Sequence, residues 1–296
     1  MVDFAYVAGG LSFPSGIVSY IDGSLIVSEM AKGVISRVTL DGQVTHVADC
    51  GGGPEGISFG LDGRLYICNN GGSSWTEVDG DQVPGDQAEN YIGGCIQVFD
   101  PDTLKLEVLY RQANGFKLRG PSDLVFDDAG GFWFTDRGKT RARQRDRGGL
   151  FYAAADGSEI KEVVYPLDAP SGVALSAAGD ELYVAESNQG RVYKWGLSGP
   201  GEIAGYFGSM HRGELLADPE GGIILNSLTL VGTDRICAGS SGRSGIVNFT
   251  PDGIHYLTKL DENIVSGICV LESDPSKAYV TLSGSGFVAE IPWDTY

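Results

Sequence analysis

One short pattern recurs six times along the chain, and it constrains the fold more than any other feature. The copies begin at Pro14-Ser15-Gly16, Pro54-Glu55-Gly56, Pro121-Ser122-Asp123, Pro170-Ser171-Gly172, Leu225-Asn226-Ser227 and Val265-Ser266-Gly267. Each leads into an apolar run. In the first four copies a glycine follows at a fixed distance (Gly23, Gly63, Gly130, Gly179), and a second apolar run comes next in all six: SLIVSE, RLYICN, GFWFTD, ELYVAE, RICAGS and KAYVTLS. A single unit of this size cannot bury its own apolar faces, so neighbouring units must stack. Recurrence at roughly 40 to 65 residues per unit points to blades of a β-propeller. The expected fold is therefore all-β, a six-bladed propeller formed as one domain over residues 1–296. The innermost strand of each blade starts near the central channel. Ser15, Glu55, Ser122, Ser171, Asn226 and Ser266 are thus expected to converge as a ring with one formal charge.

Each unit adds a third β-rich run, at 34–42, 95–102, 149–157, 191–199, 245–253 and 286–294. Several of these end in Asp-Gly or Pro-Asp turn signals. Outer strands are predicted at VTHVAD, LEVLYR, IKEVVYP, GEIAGYF (201–207) and IHYLTKL. The sixth unit lacks one, and residues Val2 to Val7 are predicted to supply it and close the ring, leaving no exposed sheet edge. Two stretches break the spacing. Residues 70–94 insert a polar, glycine-rich loop with Trp75 and Tyr91, and residues 200–222 lengthen a join that includes His211. Both are expected at a channel mouth, with Trp75, Tyr91 and His211 as lid contacts.

The formal net charge of −18 disfavours nucleic acid as a partner. The run RGKTRARQRDR at 137–147 is the one basic cluster. It reads as a solvated turn, with an anion or substrate gate as the sharper alternative. Five cysteines without a CxxC pair read as small buried hydrophobes in a reducing compartment. The acidic start MVDFAYVAGG does not read as a signal peptide, and no apolar run approaches a membrane span. The expectation is a cytoplasmic protein with a small-molecule partner and no membrane partner.

The segments GPEGISFGLDGRLYICNNGG, GPSDLVFDDAGGFWFTDRGK, APSGVALSAAGDELYVAESNQGRVYKW and AYVTLSGSGFVAEIPW resemble the SMP-30/gluconolactonase/luciferin-regenerating-enzyme family over nearly the whole chain. The resemblance implies a six-bladed propeller and a lactone- or ester-hydrolase activity. It also implies a channel cation, often calcium, held by a Glu in the first-blade motif, Asn in later motifs and Asp in the fifth. The sequence departs from that ligand set at each position: Ser15 stands for Glu, Ser122 and Ser171 for Asn, Asn226 for Asp, and Ser266 for Asn, while Glu55 stands where Asn is common.

Calcium takes six to eight oxygens, usually including carboxylates. Neutral hydroxyls and amides repay its dehydration poorly, so no cofactor is expected and the metal site reads as degenerate; a displaced calcium on Glu55 is the alternative. Burial without a cation pushes a carboxyl group towards neutrality, the useful range for a general acid or base. Glu55 is accordingly the candidate catalytic residue, with a salt bridge to a channel-facing Arg as the alternative reading. Ser15, Ser122, Asp123, Ser171, Asn226 and Ser266 are candidate substrate contacts, some as oxyanion donors. A serine triad is not supported, because His46 and His255 fall in outer strands and no nucleophile elbow exists. The resulting function is a gluconolactonase-like hydrolase of a lactone, ester or related carbonyl compound. The alternatives are a metal-independent lyase, isomerase or cyclase using Glu55, and a non-catalytic ligand- or protein-binding propeller.

Overall fold

The glycines that punctuate the repeat do so by backbone conformation. Gly23, Gly63, Gly130 and Gly179 have φ of 80°, 75°, 83° and 70°, a region that a side chain resists. Each ends the turn between the first two strands of a blade. In the computed structural model, which describes residues 2–205, 213–219 and 222–293, these turns recur around six antiparallel sheets. The innermost strands are Pro14–Ser19, Pro54–Phe59, Pro121–Phe126, Pro170–Leu175, Ile224–Val231 and Val265–Leu271. Second strands follow at Leu25–Glu29, Leu65–Asn69, Gly131–Asp136, Glu181–Glu186, Arg235–Ser241 and Asp274–Leu282. Third strands are Val34–Val38, Cys95–Asp100, Gly148–Ala154, Arg191–Gly199, Gly245–Phe249 and Phe287–Pro292. The molecule is a six-bladed β-propeller. The N-terminal strand Ala5–Ala8 pairs with Phe287–Pro292 as the outer strand of the last blade.

Outer strands of the other blades are Val44–Asp49, Lys105–Tyr110, Ile160–Leu167, Glu214–Ala217 and His255–Lys259. The fourth corrects the sequence reading. Among the described residues of the expected strand at 201–207, Glu202–Ile203 pairs, at the far end of the third strand. The main partner is Glu214–Ala217. Two turn-like glycines, Gly201 and Gly205 with φ of 65° and 73°, bracket the short piece and stop it from extending. The insertion at 70–94 is also more ordered than a loop. It folds into a hairpin of Ser73–Val78 and Asp81–Gln87.

The core is divided among the blade interfaces. Ile26, Ile35, Ile57, Leu65 and Phe99 fill the joint between blades 1 and 2, and Tyr66, Ile96, Leu124, Phe132 and Phe134 that between blades 2 and 3. Trp133, Leu150, Val173 and Leu182 join blade 3 to blade 4. Leu11, Ile17, Leu25, Cys269 and Tyr279 close blade 6 onto blade 1. All five cysteines are free and buried within this packing. Among the described residues no helix is long and apolar enough to cross a membrane.

The glycine that ends four of the six triplets explains itself here. A Cβ on Gly16 would meet the Glu55 carbonyl, one on Gly56 the backbone of Asp123, one on Gly172 the backbone of Ser227 and Leu228, and one on Gly267 the Ser15 carbonyl. Adjacent blades therefore touch backbone to backbone around the axis. We expect Gly172→Ala to destabilise the protein by about 1–3 kcal/mol, because backbone atoms cannot move aside as a flexible side chain would. Thermal unfolding of the purified variant checks this, and an unchanged midpoint would show that the blades can part there at no cost.

Candidate functional site

Glu55 is the second residue of the innermost strand of blade 2 and is only 9% exposed. Its carboxylate, an acceptor-only group, meets donors from three directions. Ser122 Oγ donates to Oε1 at 2.8 Å. Arg137 Nη1 donates to the same oxygen at 3.1 Å and forms an ion pair with it. Asn70 Nδ2 donates to Oε2 at 2.9 Å. Asn70 is fixed in turn, since its Oδ1 accepts from the Gly72 amide at 2.9 Å and from Lys139 Nζ at 3.0 Å. Lys139 is 7% exposed and also donates to the Gly72 carbonyl at 2.9 Å. Burial pushes its ammonium down to about 8 against opposing help from Glu55.

These groups face a cleft of about 180 Å³ at the end of the channel where the innermost strands begin. Two hairpins frame it. The first is the insertion of blade 2, which contributes Ser73, Pro84, Gly85 and Gln87. Its tip reaches across the mouth: the Gln82 amide donates to the Gly284 carbonyl at 2.9 Å, and Asn263 donates to Asp81 at 2.7 Å. The second, Thr140–Arg141 with Gln144–Arg145, projects from blade 3 and contributes Thr140 and Arg145. The basic run at 137–147 is therefore not simply a solvated turn. Its first residues turn inward because Asp136, at the strand end, accepts the Arg119, Gly120 and Gly138 amides at 2.7, 2.8 and 2.9 Å and bends the chain back.

Of the expected ring, Glu55 and Ser122 come together. The others serve the joints between blades. Ser171 Oγ donates to the Leu225 carbonyl at 2.9 Å, Asn226 Nδ2 to the Val265 carbonyl at 2.7 Å, and Ser266 Oγ accepts from Ser283 Oγ at 2.7 Å. The Ser15 carbonyl accepts from Thr281 Oγ1 at 2.8 Å. Ser171 and Asn226 thus have their polar groups turned to the neighbouring blade, and Ser266 is bonded within its own blade to Ser283, which reaches the Pro14 carbonyl of blade 1 at 2.6 Å; none of the three is brought to Glu55. Asp123 is buried one layer beyond Glu55. Its Oδ2 accepts the Val173 and Leu228 amides, both at 3.2 Å, so it ties blades 3, 4 and 5 together at the axis. Burial raises its carboxyl to about 7, against three backbone donors.

The expected lid contacts also change role. Trp75 packs on Phe13 at a tilt, with ring centroids 5.0 Å apart, seating the long hairpin on blade 1. Tyr91 donates to the Arg119 carbonyl at 2.6 Å and places its ring face 5.6 Å from Lys139 Nζ. It supports Lys139 from behind and does not cover the mouth. His211 lies outside the described residues.

Asn70, Arg137 and Lys139 were missed as site residues. A signal for two of them existed. The polar residues that end the second strands, Glu29, Asn69, Asp136 and Glu186, anchor loops: Glu29 accepts the Ser12 amide at 2.8 Å and Glu186 the Asp168 amide at 2.7 Å. The residue after each is Met30, Asn70, Arg137 or Ser187. The first three line the cleft, and Ser187 Oγ accepts from Arg137 Nη2 at 3.4 Å.

A divalent cation, implied by resemblance, does not fit this donor set. Both carboxylate oxygens of Glu55 already have donors, and a guanidinium occupies the approach to Oε1. Among the described residues no group of three or more His, Cys, Asp or Glu could hold a metal. The positive charge at this point comes from Arg137 and Lys139.

Comparison with known proteins agrees with the geometry at the level of fold. A gluconolactonase from Xanthomonas campestris superposes with a TM-score of 0.74 at 18% identity, over 98% of this chain and 89% of that one. A calcium-binding regucalcin from Agrobacterium tumefaciens gives 0.71 at 13% identity, over 95% and 90%. In sequence, the chain is 28% identical to Lactonase drp35 of Staphylococcus saprophyticus over 196 residues, 63% of this chain and 52% of that protein. It is 27% identical to Lactonase drp35 of Staphylococcus haemolyticus over 203 residues, 66% and 54%. The chain spans about half the length of the curated relatives it matches. The family described as SMP-30/Gluconolactonase/LRE-like region matches residues 13–284, most of the propeller from the first innermost strand to the last blade. With six blades, the axial triplets and this match in agreement, the chain belongs to the SMP-30/gluconolactonase/LRE-like family.

Proposed function

We propose that the protein is a lactone hydrolase whose reaction takes place in the cleft around Glu55. The observation that supports this most is the buried Glu55 carboxylate held by Ser122, Asn70 and Arg137 at the channel mouth. The lactonase and gluconolactonase relatives make lactones the first substrate class to consider.

In this reading Glu55 is the general base. It accepts a proton from a water molecule as the water oxygen bonds to the lactone carbonyl carbon. The carbonyl electron pair moves onto oxygen, and the oxyanion faces the cationic groups of Arg137 and Lys139, which strengthen as its charge develops. The tetrahedral intermediate collapses with cleavage of the ring carbon–oxygen bond. The departing alkoxide takes the proton back from Glu55, and an open hydroxy acid is released. Ser122 and Asn70 keep the carboxylate in one orientation throughout, which lowers the entropic part of the barrier.

The test is hydrolysis of a panel of γ-, δ- and sugar lactones and simple esters, followed by proton release in weakly buffered solution. At least one lactone should be opened above the spontaneous rate, and the rate should persist in chelator, since Arg137 and Lys139 supply the charge. A panel that stays at background throughout would remove the reading. Loss of activity in chelator would show that a cation enters despite the guanidinium.

A further inference from the structure

A charge census of the cleft leaves one cation over. Arg137 is paired with Glu55 at 3.1 Å, and Arg145, which also lines the cleft, is paired with Asp168 at 2.9 Å. Glu55 acts on Lys139 only at a distance, with Asn70 between them, and the other carboxylates near it are committed elsewhere. Asp136 holds three backbone amides, and Asp146 pairs with Arg141 at 2.9 Å. Lys139 itself donates only to neutral acceptors: the Asn70 amide oxygen, the Gly72 carbonyl and, at 3.4 Å, the Ser73 hydroxyl. Among the described residues no carboxylate oxygen lies within 4.0 Å of its Nζ. An ammonium taken out of water without a counter-charge in direct contact is costly. Three neutral oxygens and the Tyr91 ring face hold it there nonetheless, on the wall of an otherwise polar cleft with Asn188, Thr140 and Ser73.

We propose that Lys139 anchors a carboxylate, so that the cleft selects small hydroxycarboxylate anions, as carboxylate-bearing substrates or as the acids released on ring opening. The incoming anion supplies the missing counter-charge. The neighbouring hydroxyl and amide groups of Ser73, Thr140 and Asn188 accept or donate to its hydroxyls. The cleft volume, about 180 Å³, suits a compact acid. The ammonium lies in a chain of net charge −18, so long-range steering disfavours anions and the local charge must do the selecting. The inference rests on the hydrolase reading only for the source of the acid. Its core, anion binding at Lys139, stands apart from any reaction.

The experiment is equilibrium binding by titration calorimetry in low-salt, chloride-free buffer, with two pairs of probes: gluconate against glucitol, and lactate against lactamide. Each anion should bind the native protein about tenfold or more tightly than its neutral counterpart, the scale of one desolvated charge contact. Lys139→Met should abolish that preference. Neutral partners that bind native protein as well as the anions would overturn the proposal without reference to any variant. So would an anion preference that survives intact in Lys139→Met. Anion preference without lactone hydrolysis would support this site and remove the hydrolase reading. Lactone hydrolysis without anion preference would do the reverse.

Discussion

Glu55→Gln should lower the rate of lactone opening by about 10² to 10⁴, the range for a lost general base. The substitution is nearly isosteric, yet it disrupts the site in a defined way. Asn70 cannot turn its amide to suit a glutamine, because its Oδ1 is held by Lys139 Nζ and the Gly72 amide. A glutamine NH₂ towards Asn70 Nδ2 would set donor against donor, and the Arg137 guanidinium would lose its counter-charge. Single-turnover rates and thermal midpoints for Glu55→Gln beside Ser122→Ala separate chemistry from folding. Ser122→Ala removes one of three donors and should cost far less, about tenfold, with Glu55 still in place. Full activity in Glu55→Gln with a normal midpoint would mean that the reaction uses another group.

The second large effect concerns stability and pH at the axis. Asp123 is buried, and burial lifts its carboxyl to about 7 from an ordinary 3.8. Its folded-state affinity for the proton therefore exceeds that of the unfolded chain. Stability from this group is fully present below the unfolded value and is lost as pH rises through about 7. At 1.36 kcal/mol per unit the difference is on the order of 4 kcal/mol. Calorimetric midpoints between pH 4 and pH 8 should fall more steeply for native protein than for Asp123→Asn, which cannot ionise and whose amide oxygen can still accept from Val173 and Leu228. Parallel curves for the two proteins would show that Asp123 keeps its ordinary acidity despite burial.

The repeat made the fold legible because it follows from backbone chemistry. Positive-φ glycines mark the first turn of four blades, alternating apolar runs mark the strands, and a glycine ends four of the triplets where it lies against the backbone of the next blade. Blade 4 escaped at its outer strand because GEIAGYF carries strand-forming residues between glycines that halt it. The site was half legible. Glu55 and Ser122 were found by their common register. Ser171 and Asn226 share that register, yet their polar groups serve carbonyls of the next blade, a choice that depends on which neighbour is within reach.

Arg137 and Lys139 show the same limit from the other side. Their sequence context is a basic, polar run, and such runs usually face water. Here Asp136 captures three amides and folds the run back over the channel, where Glu55 and Asn70, distant in the chain, wait for their charges. Local sequence alone determined the blades, their turns, their closure by the first strand and the place of Glu55 in the axial register, since those features follow from periodicity and backbone conformation within each unit. Only the tertiary structure decided which polar groups meet which. Hydrogen bonds and ion pairs act over about 3 Å, and that proximity arises from closing the ring, not from spacing along the chain.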